Sequence, residues 1–201
     1  MLIIGTGGLT RDVVTSWEID PGKRGIDLYF FDNVSHDKDL LYGRYKIYHT
    51  FEELEHHFAT IDKMFVVCVG NPLKRKRLSD QVRRLGGNLG RYISFAGTVV
   101  NPETPLGPGT IIEPGVMVSK DVSIAEGVFV NAGAILGHDC VLGEYASIGP
   151  GCRILGRAEI GAFSYIGCNA VVMPDVKVGK KVRVGVGKIV SEDLPDGTKF
   201  M

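Results

Sequence analysis

The sequence predicts an α/β domain of the Rossmann-like kind followed by an all-β coil of short parallel strands. Three observations predict it: a strand, a glycine turn and an amphipathic helix at the start; an aliphatic residue at every sixth position through the second half; and 44% hydrophobic residues in 201. That hydrophobic share is ample for packed cores and excludes a disordered chain. Twenty-three basic residues balance twenty-three acidic ones. No global field therefore draws the chain to nucleic acid or to an anionic membrane, and recognition is expected to be local.

Leu2-Ile3-Ile4 runs into Gly5-Thr6-Gly7-Gly8 and then into an amphipathic stretch from Leu9 to Trp17, a βα unit. Leu28 to Phe31 reads as a second strand with Asp32 at its carboxyl end, and Met64 to Gly70 as a further buried strand. Asn71-Pro72 and a helix from Leu73 to about Leu85 follow. Strands alternating with helices imply a small parallel sheet. The turn is GxGG rather than GxGxxG, so the dinucleotide fingerprint is incomplete. Its physics survives: glycine amides and a helix N-terminus suit phosphate, with Asp32 placed either for a ribose or base or as a strand-end cap. Lys74, Arg75, Lys76, Arg77, Arg83 and Arg84 form a basic helix surface, read as a solvated face or as a diphosphate contact. His56 and His57 are expected on the surface of a short polar helix. The segment from Gly86 to Asn101 leads into the coil, which divides the chain near residue 95 into domains 1–95 and 96–201.

From Val100, stepping by six gives Leu106, Ile112, Val118, Ile124, Val130, Leu136 and so on to Val190, sixteen aliphatic residues without a miss. Six is a multiple of two and not of 3.6, so a helix would smear this stripe around its circumference. A prism of short parallel strands, three per coil, solves the pattern. The aliphatic fills the interior, and the residue two before it is small or Val (Val116, Ala134, Cys140, Ala158). The residue after it is often Gly, which is expected to relieve a turn at positive φ. Cys68, Cys140, Cys152 and Cys168 lack CxxC spacing and are expected to be reduced structural thiols. The opening MLIIGTGG has no basic n-region, and no apolar run approaches the roughly 20 residues that span a bilayer. A cytoplasmic location without membrane insertion is expected.

These residues carry the hexapeptide repeat and resemble the left-handed parallel β-helix acyltransferases. With the glycine-turn domain in front, the whole chain resembles the sugar O-/N-acyltransferase family, the NeuD/PglD-like group that includes sialic-acid O-acetyltransferase and amino-sugar N-acetyltransferase types. The most specific stretch runs from Asn131 through His138-Asp139 to Gly143-Glu144, and Asp32-Asn33 and Gly70-Asn71 match two further family turns. The resemblance implies a homotrimer with active sites in the grooves between prisms and acetyl-CoA as co-substrate. It also implies a nucleotide-linked amino sugar held by the first domain at Gly5, Gly7, Gly8, Asp32, Asn33, Gly70 and Asn71. His138 is the implied base, with Asp139 as its orienting partner. Where the family commonly has His-Gly after the glycine turn this chain has Leu9-Thr10, and Ser147 stands where some members carry a second histidine that contacts the acyl group.

The chemistry fits those residues. An alkyl ammonium must lose a proton before attacking a thioester, and a neutral imidazole with a pKa near 6.5 suits that task without a metal. His138, two positions past Leu136, is expected at a corner and directed outward. Gly156, eighteen residues on, lies one coil away, roughly 5 Å along the stacking direction. It is read either as an N–H donor to the thioester carbonyl or as a turn residue. Asn131 is assigned to the substrate or to His138 across the interface. The pantetheine arm of the coenzyme A thioester is expected along the C-terminal coils at Gly185 and Gly187. N-acetylation, O-acetylation of a sugar hydroxyl and a non-catalytic nucleotide-sugar-binding trimer all remain open on the sequence.

Overall fold

In the computed structural model, which describes residues 1–201, the first half runs β1 (Leu2–Ile4), α1 (Gly8–Ile19), β2 (Tyr29–Phe31), β3 (Leu40–Leu41), β4 (Tyr45–Tyr48), α2 (Phe51–Thr60), β5 (Met64–Val67), α3 (Pro72–Arg84) and β6 (Asn88–Leu89). The strands form one sheet ordered β3-β4-β2-β1-β5-β6. Only the β3–β4 pairing is antiparallel. All three residues of β1 are buried, as expected of a central parallel strand covered on both faces. Tyr92–Ile93 already pairs with Ile111–Ile112 of the coil, so the sheet of the first half ends at Leu89.

Two helices bury residues that their polar sequences conceal. On α2, Leu54, His57 and Phe58 share the inward stripe, so His56 is exposed as expected and His57 is fully buried. His57 Nδ1 lies 3.2 Å from the Tyr48 hydroxyl, and burial pulls its pKa down. On α3 the stripe is Arg75, Ser79 and Val82. The expectation of a wholly solvated or ligand-facing basic surface is corrected here, because Arg75 is 1% exposed. Its guanidinium donates to Gly127 O, Val69 O, Tyr145 O and Ser147 Oγ at 2.8–2.9 Å, tying the first half to two coils of the second. Burial lowers its pKa to about 10, which leaves it charged at neutral pH. Arg75→Met strips these carbonyls of their donor and is expected to cost about 3–5 kcal/mol in thermal unfolding at fixed protein concentration.

From Val99 onward the chain winds through three sheets of parallel strands. One face carries strands at Tyr92–Ile93, Ile111–Ile112, Phe129–Val130, Ser147–Ile148, Tyr165–Ile166, Arg183–Val184 and Lys199–Phe200. It is the domain face, because Tyr92, Ile111 and Phe129 share a core with Val13 and Trp17 of α1. The second, apolar face presents Val99, Met117, Ile135, Arg153, Val171 and Ile189 outward. The third, charged face presents Ser123, Val141, Glu159 and Lys177. Fourteen of the sixteen periodic aliphatics are buried, and Val100 and Leu106 pack against them.

The glycine after each aliphatic has a different cause from the one expected. Positive φ falls three residues before the aliphatic, at Gly109, Gly133 and Gly151 and also at Asp139, Tyr145, Arg157 and Asp175. There the left-handed twist aims the residue's N–H at a carbonyl of the preceding coil, as in Asp139 N to Lys120 O at 3.1 Å and Arg157 N to His138 O at 2.9 Å. The glycine after the aliphatic instead permits close stacking. A Cβ on Gly143 would stand 2.7 Å from Ala162 N, and one on Gly149 2.7 Å from Ile166 O.

Candidate active site

In this sheet, connections leave β1 and β5 toward opposite edges, and the crevice outside their carboxyl ends is where α/β sheets bind ligands. A cavity of about 410 Å³ lies there. Gly5, Gly7, Gly8, Asp32, Asn33 and Gly70 all line it, so six of the seven substrate-binding residues expected in the first domain converge. Gly5 has φ +106°, and a Cβ on it would lie 3.2 Å from Cys68 O. Nothing lies within 4 Å of a Cβ built on Gly7 or Gly8, so their backbone is open. Gly7 is the N-cap of α1, where no side chain caps the helix and no acid sits in the first turn. The first-turn amides therefore face the cavity without a side-chain partner, a setting that suits an anion.

Asp32 organises this cavity. Its carboxylate accepts from the Thr6 hydroxyl and from the amides of Val34 and Ser35, 2.9 and 3.2 Å away. Partial burial pushes its pKa up, but these hydrogen bonds outweigh burial and hold it below the usual carboxylate range. Asn71, the seventh, is occupied as the N-cap of α3, its Oδ1 accepting from Lys74 N at 3.0 Å. The Leu9-Thr10 departure is also explained. Thr10 Oγ1 donates to Gly5 O at 2.9 Å and braces the glycine turn, while Leu9 lies between this cavity and the next.

The second cavity, about 430 Å³, joins the first at Gly8, Leu9 and Gly70 and is walled on the other side by the domain face. Asn131, Ser147, Gly149 and Tyr165 come from the coil and Asp12 from α1. Ser147 is 2% exposed, and its hydroxyl accepts from Arg75 and lies 3.4 Å from Gly70 O. The sequence leaves two readings for Ser147, a hydroxyl contact to the acyl group or none; in the fold its hydroxyl fixes the seam between the two halves. Asp12 and Tyr165 were not legible as cavity-lining residues, since only the docking of the halves brings them here.

His138 and Asp139 sit on the turn between the apolar and charged faces, the corner that does not border the domain face. His138 Nδ1 lies 2.6 Å from Asp139 Oδ2, and both side chains are about half exposed. A neutral ring donating from Nδ1 leaves its lone pair on Nε2, facing solvent. Gly156 lies directly beneath, where a Cβ would stand 2.7 Å from Nε2 and Cε1. Its φ is not positive, so turn relief does not explain it, and its amide has no acceptor within the chain. One position on, Arg157 is clamped by Asp175 through bonds of 2.6 and 2.8 Å, which leaves Asp139 to the imidazole. Gly187 lies farther along the coil with φ +67° and open space around it, whereas Gly185 donates its amide to Phe200 O at 2.7 Å.

Residues 121–156 match the family "Bacterial transferase hexapeptide (six repeats)". The bifunctional protein GlmU of Dinoroseobacter shibae is 44% identical over 41 residues, which are 20% of this chain and 9% of that protein. The acetyltransferase domain of PglB from Neisseria gonorrhoeae, solved in complex with acetyl coenzyme A, superposes with a TM-score of 0.86 at 27% identity over 98% of this chain and 92% of that one. PerB from Caulobacter crescentus, solved with CoA and GDP-perosamine, gives a TM-score of 0.85 at 28% identity, covering 97% and 90%. A glycine-turn domain docked on an uninterrupted hexapeptide prism, superposing across nearly its whole length on solved acetyltransferases, is that of an acyltransferase. The chain carries the hexapeptide repeat on a left-handed β-helix and is similar over nearly its whole length to these acetyltransferases.

Proposed function

We propose that this protein is an acetyl-CoA-dependent N-acetyltransferase acting on the amine of a nucleotide-linked amino sugar, a 4-amino-4,6-dideoxy sugar used in surface glycan synthesis. The observation that carries this reading is the joined pair of cavities. One lies at the switch point with open glycine amides and suits a nucleotide diphosphate; the other lies against the coil and suits the attached sugar. Structural likeness to PglB and PerB across nearly the whole chain supports it further.

The reaction needs one base and one donor. His138 Nε2 takes the proton as the amine nitrogen bonds to the thioester carbonyl carbon, and Asp139 stabilises the resulting imidazolium. The Gly156 amide donates to the developing oxyanion. Collapse breaks the carbon–sulfur bond, and the imidazolium returns the proton to the departing thiolate, giving amide and free CoA. His138 and the sugar cavity occupy different sides of the same prism, so the proposed site is built between copies, with Asn131 on the acceptor's side. Val99, Met117, Ile135, Val171 and Ile189 give the apolar face aliphatic or Met side chains at five of its six outward positions, a surface suited to homotrimer packing.

Free-thiol release is the direct test, with acetyl-CoA and a panel of UDP-, GDP- and dTDP-linked amino sugars as substrates. Release with one of them, reduced about 10²–10⁴-fold in kcat by His138→Ala, is the expected result. Release that His138→Ala leaves unchanged removes the base, and absence of release with every amino sugar overturns the reading.

A further inference from the structure

The loop that follows β2 carries Asn33, Val34 and Ser35 into the wall of the switch-point cavity. Where α/β sheets hold a nucleotide, an acid at this strand end reaches the ribose, so the loop marks the nucleoside end of the cavity and the glycine turn its phosphate end. Within the loop, the amides of Val34 and Ser35 donate to the Asp32 carboxylate. Residues 33–38 make no backbone–backbone hydrogen bond to the rest of the chain. What fixes this stretch is a single side chain from the neighbouring strand.

His49 stands between the end of β4 and Thr50, the N-cap of α2, and its amide is pinned by Glu53 Oε2 at 2.7 Å. Its side chain is only 14% exposed. Nδ1 lies 2.8 Å from Asp32 O and Nε2 3.0 Å from Lys38 O, so one ring meets a carbonyl at each end of the loop. Carbonyl oxygens only accept. A neutral imidazole has one N–H and turns a lone pair toward the second oxygen, whereas an imidazolium donates to both. The surroundings favour the cation: Asp39 Oδ1 is 3.7 Å from Nε2, and Asp32 and Glu53 lie close enough to feel the ring's charge. Opposing them are Lys46, near Glu53, and the exposed His36 ring, 5.0 Å away.

We infer that His49 is a positioning residue for the nucleotide, an imidazolium that clasps both ends of the nucleoside loop. The inference rests on reading this cavity as a nucleotide-sugar site. Loss of the ring proton leaves one carbonyl facing a lone pair and releases that end of the loop. Asn33, Val34 and Ser35 then lose their fixed place, and part of the binding energy goes into ordering them again. Histidine is the side chain that changes charge between pH 5 and 8, so nucleotide-sugar affinity falls as the pH rises through that range. Asp32 does not share in this titration, because its hydrogen bonds hold it below the usual carboxylate range.

The probes are UDP-glucose, GDP-mannose and dTDP-glucose, whose disubstituted diphosphates keep their charge between pH 6 and pH 8 and which carry no amine. Calorimetry gives their Kd at both pH values for the whole protein, for His49→Gln and for His36→Gln. Wild type and His36→Gln are expected to bind the fitting probe about ten-fold more tightly at pH 6 than at pH 8. His49→Gln, which donates hydrogen bonds and does not titrate, is expected to give the same Kd at both. Nitrogen-15 NMR of wild type is a second measurement that needs no variant: the His49 ring is expected to carry two N–H groups at pH 6 and one at pH 8. A pH dependence that survives in His49→Gln, or a ring with one N–H at pH 6, overturns the assignment. The two readings fail differently. Binding whose pH dependence is the same in wild type and His49→Gln keeps the nucleotide site and removes the clasp. No binding of any probe at either pH overturns the nucleotide reading and this role together.

Discussion

Gly156→Ala is expected to lower kcat for acetyl transfer about 10²-fold while leaving thermal stability within about 0.5 kcal/mol of wild type. The added methyl would meet the His138 ring at 2.7 Å. That ring ends a flexible, half-exposed side chain, so it swings aside and the fold is spared. Gly143→Ala is the control. Its methyl would also find a neighbour at 2.7 Å, but that neighbour is the backbone nitrogen of Ala162 in the next coil, which cannot turn away. It is expected to destabilise the protein by about 1–3 kcal/mol or more. Parallel melting curves and initial rates on the two variants check both outcomes. A Gly156→Ala protein with full activity would show that the imidazole need not sit over that glycine.

The second large effect concerns stability and has the opposite sign to the usual carboxylate. Glu113 is fully buried where the coil meets α1, and neither carboxyl oxygen has a hydrogen-bond partner. Burial, followed by repulsion from Asp12, raises its pKa from 4.5 to about 8. The folded state therefore keeps a proton that the unfolded chain releases above pH 4.5. Folding stability is unaffected by this group below that pH, falls as the pH rises toward 8, and then levels off. At pH 7 the penalty is about 3 kcal/mol, from 1.36 kcal/mol per unit. Glu113→Gln mimics the protonated form. It is expected to match wild type near pH 5 and to exceed it by about 3 kcal/mol at pH 7. Denaturant titrations at the two pH values check this, and a difference that does not change with pH would refute it.

What the amino-acid order revealed, and what it hid, follows from where each interaction is made. The six-residue period is local and repeated, so the prism could be read residue by residue, including the buried small position two before each aliphatic. The role of the glycine after the aliphatic could not, because its cause is the backbone of the next coil rather than its own turn. The strand ends and glycine turn of the first domain brought six expected residues to one cavity, since each lies beside a strand terminus of one small sheet. Arg75, Ser147 and Glu113 were opaque for a common reason: each is buried by contacts between the two halves. A helix crowded with cations does not show which of them turns inward. One sign was available for Glu113. It occupies the phase held by Asn131 and Gly149 in later coils, and a carboxylate there departs from the repeat.

The left-handed corner residues give each layer a fixed angular address, and that has a bearing on how such a chain tolerates changes in length. Removing eighteen residues from the uninterrupted stretch takes out one full revolution, and everything beyond keeps its compass bearing. Removing six takes out a third of a revolution. Relative to the first domain, the His138 corner would then point a third of a turn away from its original heading, although every retained hexapeptide would still be well formed. Viable length variants are therefore expected to come in whole revolutions, and bulges that rejoin the winding where they left it are the other permitted change.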